Sequence, residues 1–236
     1  MRVLAVGAHP DDLEIQCAGT LARYRQAGHD VVMAHVCNGD CGHFYIPAEE
    51  LAAIRQEEAA AAAAVIGAEV AAVNIGDGDV QAEDEQARQR VVDLVRQAQP
   101  DVIITHAPDD YMPDHVAVSK LVFFASFLAS VPQWRTGMDL PHYELVPPVY
   151  YMDTMAGVNF VPDDYVDITA TFAAKLQMFS CHQSQLTWLK EHDGMDMLDF
   201  ITVMARGRGL QCGVRYAEGF RRLRAWPRQT TTRLLP

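Results

Sequence analysis

The sequence predicts an α/β fold, with a largely parallel sheet that carries helices on both faces. Short apolar runs of strand length alternate with longer helical patterns throughout the first half of the chain. Glycine or proline ends each helical pattern before the next apolar run begins. This alternation is typical of parallel sheets whose strands are joined by crossover helices.

Four strands are predicted in this half, each a short run dominated by aliphatic residues. They are RVLAVGA at 2–8, DVVMAHV at 30–36, VAAVNIG at 70–76 and DVIITH at 101–106. The helices predicted between them span 13–28, 46–69 and 80–99. Pro47 near the start of the second helix and Gly67 near its end occupy positions that favour those residues.

The pattern loosens in the second half of the chain. A segment rich in proline and aromatic residues, 131–148, precedes a predicted strand at 149–155, and residues 169–206 have a helical pattern. We find no internal repeat and no stretch of linker composition. We therefore expect one domain spanning residues 1–236, with an elaborated C-terminal part.

Charge and hydropathy argue against two classes of partner. The formal net charge of −12 disfavours nucleic acid, because affinity for a phosphate backbone depends on Lys and Arg. No apolar run approaches the ~18 residues of a membrane-spanning helix, and acidic residues follow the N-terminus too closely for a secretory signal. We expect a cytoplasmic protein with no membrane partner, whose cysteines remain thiols. The aromatic-rich segment 123–151 offers a contact surface for a homo-oligomer.

Two polar stretches follow the first and fourth predicted strands. AHPDDLE occupies residues 8–14, and HAPDDYMPDH occupies residues 106–115. The carboxyl ends of parallel strands lie at one edge of a sheet, where ligands bind. We therefore expect the two stretches to meet at that edge although they are far apart in the sequence.

The two stretches contain the residue types of a catalytic zinc centre, which uses three protein ligands and leaves a position for water. His9 and Asp12 flank a turn that contains Pro10, and His115 lies near the start of a predicted helix. We predict that His9, Asp12 and His115 bind one Zn²⁺ or another divalent transition metal. Asp11 would lie beside the ion as the general base that takes a proton from the attacking water.

Each stretch also has a purely structural alternative. The aspartates of AHPDDLE could serve only to cap a helix N-terminus. Asp109 and Asp110 could be ordinary turn residues. The occurrence of both stretches after strands of one alternating pattern favours the metal centre.

At these residues the sequence resembles the LmbE-like (PIG-L) superfamily of metal-dependent deacetylases, which includes N-acetylglucosaminyl deacetylases. The matching stretches are VGAHPDDLEIQCAGTLARYRQAGHDV, NGDCG, IRQEEAAAAAAVIGAE, NIGDGD, PDVIITHAPDDYMPDH and CHQSQ. The resemblance implies a Rossmann-like three-layer fold, with the same three zinc ligands and the same base. It also implies a set of residues that line the pocket and bind sugar hydroxyls: Arg55, Asp77 and Asn38.

Met112 departs from the pattern of many relatives. They have a histidine at this position, which stabilises the oxyanion or protonates the leaving amine, and a thioether does neither. His106 and His182 are the candidates to replace it as catalytic residues, with Tyr111 as a further substrate-binding candidate. The alternative for His106 is support of a metal ligand from behind, and the alternative for His182 is an ordinary helix-surface position.

Two further groups of residues are weaker candidates. Trp134 and Trp188 could stack on a sugar ring, although packing is the simpler explanation. Cys37, Cys41 and His43 lack the spacing of a separate zinc site, and we expect the loop that holds them to face the pocket.

The residues and the resemblance together predict a metal-dependent hydrolase. It would remove an acyl group, most simply acetyl, from the amine of an N-acetylated amino sugar or its conjugate. Two alternatives stay open: the same chemistry on a different amide, such as a thiol-sugar conjugate or an antibiotic intermediate, and a catalytically silent relative that only binds metal or sugar. A nucleotide-binding protein is disfavoured, because no GxGxxG or GK[ST] motif follows a strand.

Overall fold

The computed structural model describes residues 1–228, which contain a seven-stranded sheet. The strands are β1 Arg2–Gly7, β2 Asp30–Cys37, β3 Glu69–Ile75, β4 Val102–Thr105, β5 Val149–Met152, β6 Asp164–Asp167 and β7 Ala217–Arg222. The helices are α1 Asp12–Gln16, α2 Ala18–Gln26, α3 Ala48–Ile66, α4 Glu85–Ala98, α5 Pro113–Leu128, α6 Phe172–Phe179, α7 Gln183–Asp193 and α8 Met197–Cys212.

The sheet is mainly parallel, which confirms the predicted fold class. The strand order is β3-β2-β1-β4-β5-β7-β6, and β1 to β5 run parallel. The last two strands join antiparallel. From β1 the chain winds to β2 and β3 on one side, and it then crosses to β4 and β5 on the other. Ligands in open α/β sheets bind in the crevice at such a reversal.

Strand β1 lies at the centre of the molecule and is buried on both faces. Leu4 and Val6 pack in an apolar cluster with residues of α4 and α5. Val3 and Ala5, which point the other way because side chains alternate along a strand, pack in a second cluster with residues of α1, α2 and α6. Helices therefore cover both faces, and the three-layer arrangement follows.

The helix predicted at 13–28 is in fact two helices, α1 and α2, which meet at Cys17. Cys17 has a φ of −141°, outside the helical range. The buried carboxylate of Glu218 accepts hydrogen bonds from two backbone N–H groups at the start of α2. Lys175 donates to the carbonyl of Ile15 at 2.8 Å and pairs with Glu218. Lys175 and Glu218 form hydrogen bonds with backbone groups that the break leaves without helical partners. Because both residues are distant in the sequence, the local pattern could not predict the break.

The C-terminal half differs from the sequence prediction in two further respects. Strands β6 and β7 were missed, because DYVD and AEGFRR are short and polar and lack the alternation of a strand. The helical region at 169–206 is three helices, and the last one continues to Cys212. That residues 1–236 form one domain stays a prediction.

Two simpler expectations can also be compared with the structure. Within residues 1–228 all five cysteines are free thiols, as predicted. In the same residues, no helix is both long enough and apolar enough to cross a membrane.

Candidate metal centre and substrate site

His9, Asp12 and His115 come together at the carboxyl edge of the sheet. One ligand atom from each lies within 4.8 Å of the others. His9 stands in the turn after β1, Asp12 is the first residue of α1, and His115 is in the first turn of α5. Because β1 and β4 are parallel neighbours, the turn after β1 and the loop between β4 and α5 leave the sheet side by side.

The histidines are oriented as metal ligands usually are. The Nδ1 of His115 donates to the Asp110 carboxylate at 3.0 Å. Its Nε2 is buried without a hydrogen-bond partner among the described residues and lies 3.3 Å from Asp12 Oδ1. The Nε2 of His9 bonds to Asp114 at 3.1 Å, and its Nδ1 lies 3.6 Å from Asp12 Oδ2. A metal ion would satisfy the orphaned nitrogen, while carboxylates hold the opposite side of each ring.

The electrostatics of the cluster also fit a cation. Burial opposes ionisation of Asp12, but the opposing effects, of which His115 is the largest, hold the pKa of Asp12 well below its usual range. Burial likewise lowers the pKa of His9, but Asp114 and Asp12 raise that pKa to about 10. The buried carboxylates thus attract positive charge. A divalent ion would take the place of the imidazole protons, because a ligating histidine must be neutral.

Asp11 lies beside the cluster in a strained backbone conformation. Its φ is 146°, in a region that residues other than glycine rarely adopt and that is enriched at functional sites. Its buried carboxylate pairs with Arg55 Nη2 at 3.2 Å. Burial raises the pKa of Asp11 to about 6, although Arg55 lowers it. Such a group is ionised at neutral pH and still accepts a proton readily, as a general base must.

Arg55, on α3, lies behind Asp11 and is almost fully buried, with 3% of its surface exposed. Its Nη2 donates to the Pro10 carbonyl at 2.7 Å, and its Nη1 donates to the Gly39 carbonyl at 3.4 Å. Gly39 has a φ of +79°, and a Cβ at that position would lie 2.7 Å from Arg55 Cδ. The guanidinium therefore joins the turn after β1 to the loop after β2. That it also binds sugar hydroxyls stays a prediction.

The other three predicted substrate-binding residues lie in loops at the same edge of the sheet. Asp77, after β3, accepts a hydrogen bond from the Gly39 N–H at 2.8 Å. Asn38, directly after β2, accepts one from the Asp40 N–H at 3.2 Å. Tyr111, between β4 and α5, is half exposed. Their contacts with substrate stay predictions.

His106 lies behind His115 and is fully buried. The two rings stack with their centroids 3.8 Å apart, and the Nε2 of His106 accepts a hydrogen bond from the Ala8 N–H at 2.9 Å. Burial lowers the pKa of His106 to about 4, so that it is neutral. This geometry favours support of a ligand from behind, while a direct catalytic contact stays a prediction.

His182 is buried at the N-terminus of α7, so the helix-surface alternative is wrong. Its Nε2 lies 3.5 Å from Glu14 Oε1. Glu14 is also fully buried, and within the described chain neither of its carboxylate oxygens has a hydrogen-bond partner. Burial lowers the pKa of His182, but Glu14 and Asp11 raise it above its usual value. Glu14, the third carboxylate of AHPDDLE, was missed because nothing in the local sequence indicates its distant partner.

The weaker candidates have distinct environments. Trp134 is partly buried and packs against Phe124 beside the core, as the simpler explanation predicted. Trp188 lies on α7 against Phe44, with ring centroids 4.4 Å apart. In the part of the chain that the structure describes, the candidate metal groups place Cys37 and Cys41 in different clusters, each with Asp77.

Known proteins resemble this chain in sequence and in fold. The family described as PIG-L: GlcNAc-PI de-N-acetylase matches residues 4–126. Over 234 residues the chain is 28% identical to the diacetylchitobiose deacetylase of Thermococcus kodakarensis, covering 93% of this chain and 82% of that protein. The structure of N,N'-diacetylchitobiose deacetylase from Pyrococcus horikoshii has a TM-score of 0.81 and 26% identity, covering 94% of this chain and 83% of that chain.

A structure described as an enzyme of another class is equally similar. The 4-carboxy-2-hydroxymuconate hydratase from Pseudomonas putida KT2440 has a TM-score of 0.82 and 25% identity over 100% of both chains. The family match spans both polar loops, and with them the three candidate ligands and Asp11. The chain therefore belongs to the PIG-L family.

Proposed function

We propose that the protein is a metal-dependent hydrolase that removes an acetyl group from the amine of an N-acetylated amino sugar or its conjugate. The observation that carries this proposal is the convergence of His9, Asp12 and His115 with the Asp11 carboxylate beside them. The relatives described as diacetylchitobiose deacetylases support the substrate class.

The three ligands would hold Zn²⁺, for which two histidines and one carboxylate are an ordinary catalytic set. When bound, the ion polarises a carbonyl oxygen and makes water easier to deprotonate. Asp110 and Asp114 would keep the two imidazoles oriented toward it through the hydrogen bonds described above.

Asp11 would perform the proton transfers. Ionised at neutral pH, it accepts a proton from the water that adds to the amide carbonyl carbon. When the C–N bond breaks, the same proton passes from Asp11 to the amine nitrogen, and acetate and a free amine are the products. Met112 has no proton to donate at the position where many relatives have a histidine. Asp11 must then serve as both base and acid, unless a histidine assists the leaving amine.

The proposal is tested by acetate release from N-acetylglucosamine derivatives with zinc-loaded protein. We expect the wild type to release acetate and Asp11→Asn to lower kcat by about 10²–10⁴-fold, the usual contribution of a general base. Elemental analysis should show zinc retained, because Asp11 is not one of the predicted ligands. Asp139→Asn, in an exposed loop, is the control and should behave as the wild type. If Asp11→Asn is fully active, Asp11 is not the general base. If the zinc-loaded wild type releases no acetate, the proposed deacetylation is wrong.

Hydration of a carbon–carbon double bond is the second candidate. It is favoured by the full-length similarity to the 4-carboxy-2-hydroxymuconate hydratase and by Met112, because hydration needs an activated water but no proton donor for a leaving amine. Loss of the ultraviolet absorbance of 4-carboxy-2-hydroxymuconate, without acetate release in the first assay, would support it. Zinc binding with neither reaction would instead indicate the silent binding protein.

A further inference from the structure

We propose that Phe44, Trp188 and His192 form a stacking surface for the sugar ring next to the one that carries the reacting acetamido group. We call these three residues the aromatic wall. The inference rests on the proposed deacetylation and names a determinant of its substrate specificity: a second ring on the substrate.

The aromatic wall is continuous although two separate elements build it. Trp188 and His192 are four residues apart on α7, so they share one face of the helix, and their rings stack with centroids 4.4 Å apart. Phe44, from the loop after β2, contacts Trp188 at 4.4 Å and His192 at 5.7 Å between centroids. The three rings thus form one aromatic cluster, in which Trp188 contacts both Phe44 and His192.

Much of this surface is open to solvent. Phe44 is 48% exposed, and its neighbour Tyr45 is 82% exposed. Grouped exposed aromatic rings are unfavourable in water, and such patches on soluble proteins commonly mark ligand-binding grooves. Within the wall, His192 is exposed and Trp188 is partly buried.

The loop that carries Phe44 is tied to the catalytic carboxylate. The Gly42 carbonyl accepts a hydrogen bond from Gln185, on the same helix as the wall's tryptophan, at 3.2 Å. A Cβ at Gly42 would lie 3.4 Å from Arg55 Nη1, and Arg55 Nη2 lies 3.2 Å from Asp11. Two residues of chain span about 7 Å at most. Phe44, two residues after Gly42, therefore lies on the same loop as a residue next to Arg55, the ion-pair partner of Asp11.

The chemistry of the wall suits a sugar ring better than an acyl chain. One face of a pyranose presents C–H groups, which pack on aromatic rings, whereas its edge carries hydroxyl groups. The wall combines the apolar rings of Phe44 and Trp188 with the hydrogen-bonding imidazole of His192, and the exposed phenol of Tyr45 lies beside Phe44, with ring centroids 5.7 Å apart. A linear acyl chain would instead require a groove without such polar groups.

The test compares kcat/KM for N,N'-diacetylchitobiose and for N-acetylglucosamine, with acetate release as the readout. In zinc-loaded Phe44→Ala and Trp188→Ala, we expect the disaccharide-to-monosaccharide ratio to fall about three- to tenfold, the size of an aromatic stacking contribution. Trp226→Ala removes a different tryptophan, which is exposed and lines a cavity with Phe127 of α5. It is the matched control and should leave the ratio unchanged.

A binding measurement keeps the proposal falsifiable if the alanine variants fold poorly. The chain has three tryptophans, so Trp134→Phe combined with Trp226→Phe leaves Trp188 as the sole tryptophan fluorophore. We expect the glucosamine disaccharide, which is the deacetylated product, to shift its emission, and glucosamine to leave it unchanged.

The outcomes separate this inference from the proposed function. If the wild type releases acetate and the ratio or the emission does not change, the wall has no part in sugar binding and the inference alone is wrong. If Phe44→Ala and Trp188→Ala lose activity only on N-octanoyl substrates and not on N-acetyl substrates, the wall binds the acyl group. That result would also overturn the inference. If the wild type releases acetate from neither sugar, the proposed function fails and takes the inference with it.

Discussion

Asp11 and Arg55 illustrate how two opposing effects on one residue set its chemistry. Burial raises the pKa of the Asp11 carboxyl, and the adjacent guanidinium lowers it, which leaves the pKa at about 6. The same guanidinium donates a hydrogen bond to the Pro10 carbonyl. A side chain of α3 therefore holds the strained backbone of Asp11 in place. Arg55 therefore influences the ionisation of Asp11 whether or not it touches substrate.

We expect Arg55→Met to shift the acid limb of the kcat–pH profile to higher pH. Removing the positive charge takes away the largest effect that opposes burial, so the pKa of Asp11 rises. Since the base works only when ionised, activity increases with pH through this pKa and a higher pKa delays the increase. Arg55→Lys retains the charge and should keep its limb close to that of the wild type. An unmoved limb in the Met variant, with zinc content unchanged, would contradict the tuning role.

At the level of elements, the break between α1 and α2 is held by a buried ion pair. Lys175 and Glu218 come from α6 and β7, and they are 2% and 4% exposed. Their hydrogen bonds go to the last turn of α1 and the first turn of α2. The pair therefore positions α1, whose first residue is the predicted metal ligand Asp12.

Lys175→Met should lower the free energy of unfolding by about 3–5 kcal/mol, because it leaves the Glu218 carboxylate buried without its partner. Urea denaturation measures the change. Lys120→Met removes an exposed lysine from α5 and should change stability by less than about 0.5 kcal/mol. Equal effects of the two substitutions would show that the buried pair does not stabilise the break.

At the scale of the whole molecule, the parallel pairing of β1 with β4 brings together two loops that are distant in sequence. The site this creates concentrates buried carboxylates around two imidazoles. A bound cation would lower the repulsion among these carboxylates. A ligand that binds only the folded state stabilises that state.

Removal of metal with a chelator should therefore lower Tm and abolish activity, and added zinc should restore both. With free zinc at about 100 times its Kd, the stabilisation amounts to about 2.7 kcal/mol. Calorimetry with and without zinc measures it. His115→Asn removes one ligand and should lose the zinc-dependent increase in Tm. If neither the chelator nor added zinc changes the Tm of the wild type, the predicted metal centre is wrong.

Local sequence was enough for the first four strands and for the position of the candidate site. Apolar runs such as RVLAVG form strands because they are buried on both faces of the sheet. Gly67 ends α3 because it adopts the left-handed conformation, with a φ of 68°. Both polar loops follow strands of one parallel sheet, so their meeting at its carboxyl edge followed from topology alone.

The tertiary structure alone decided the features that depend on partners far away in the chain. Examples are the break at Cys17, the burial of Glu14 against His182, and the contact of Phe44 with Trp188. A residue's own neighbours in sequence determine its backbone preference and its periodicity. Which distant side chain will neutralise it, bury it or stack on it depends on how whole elements pack, and that information is spread over the entire chain.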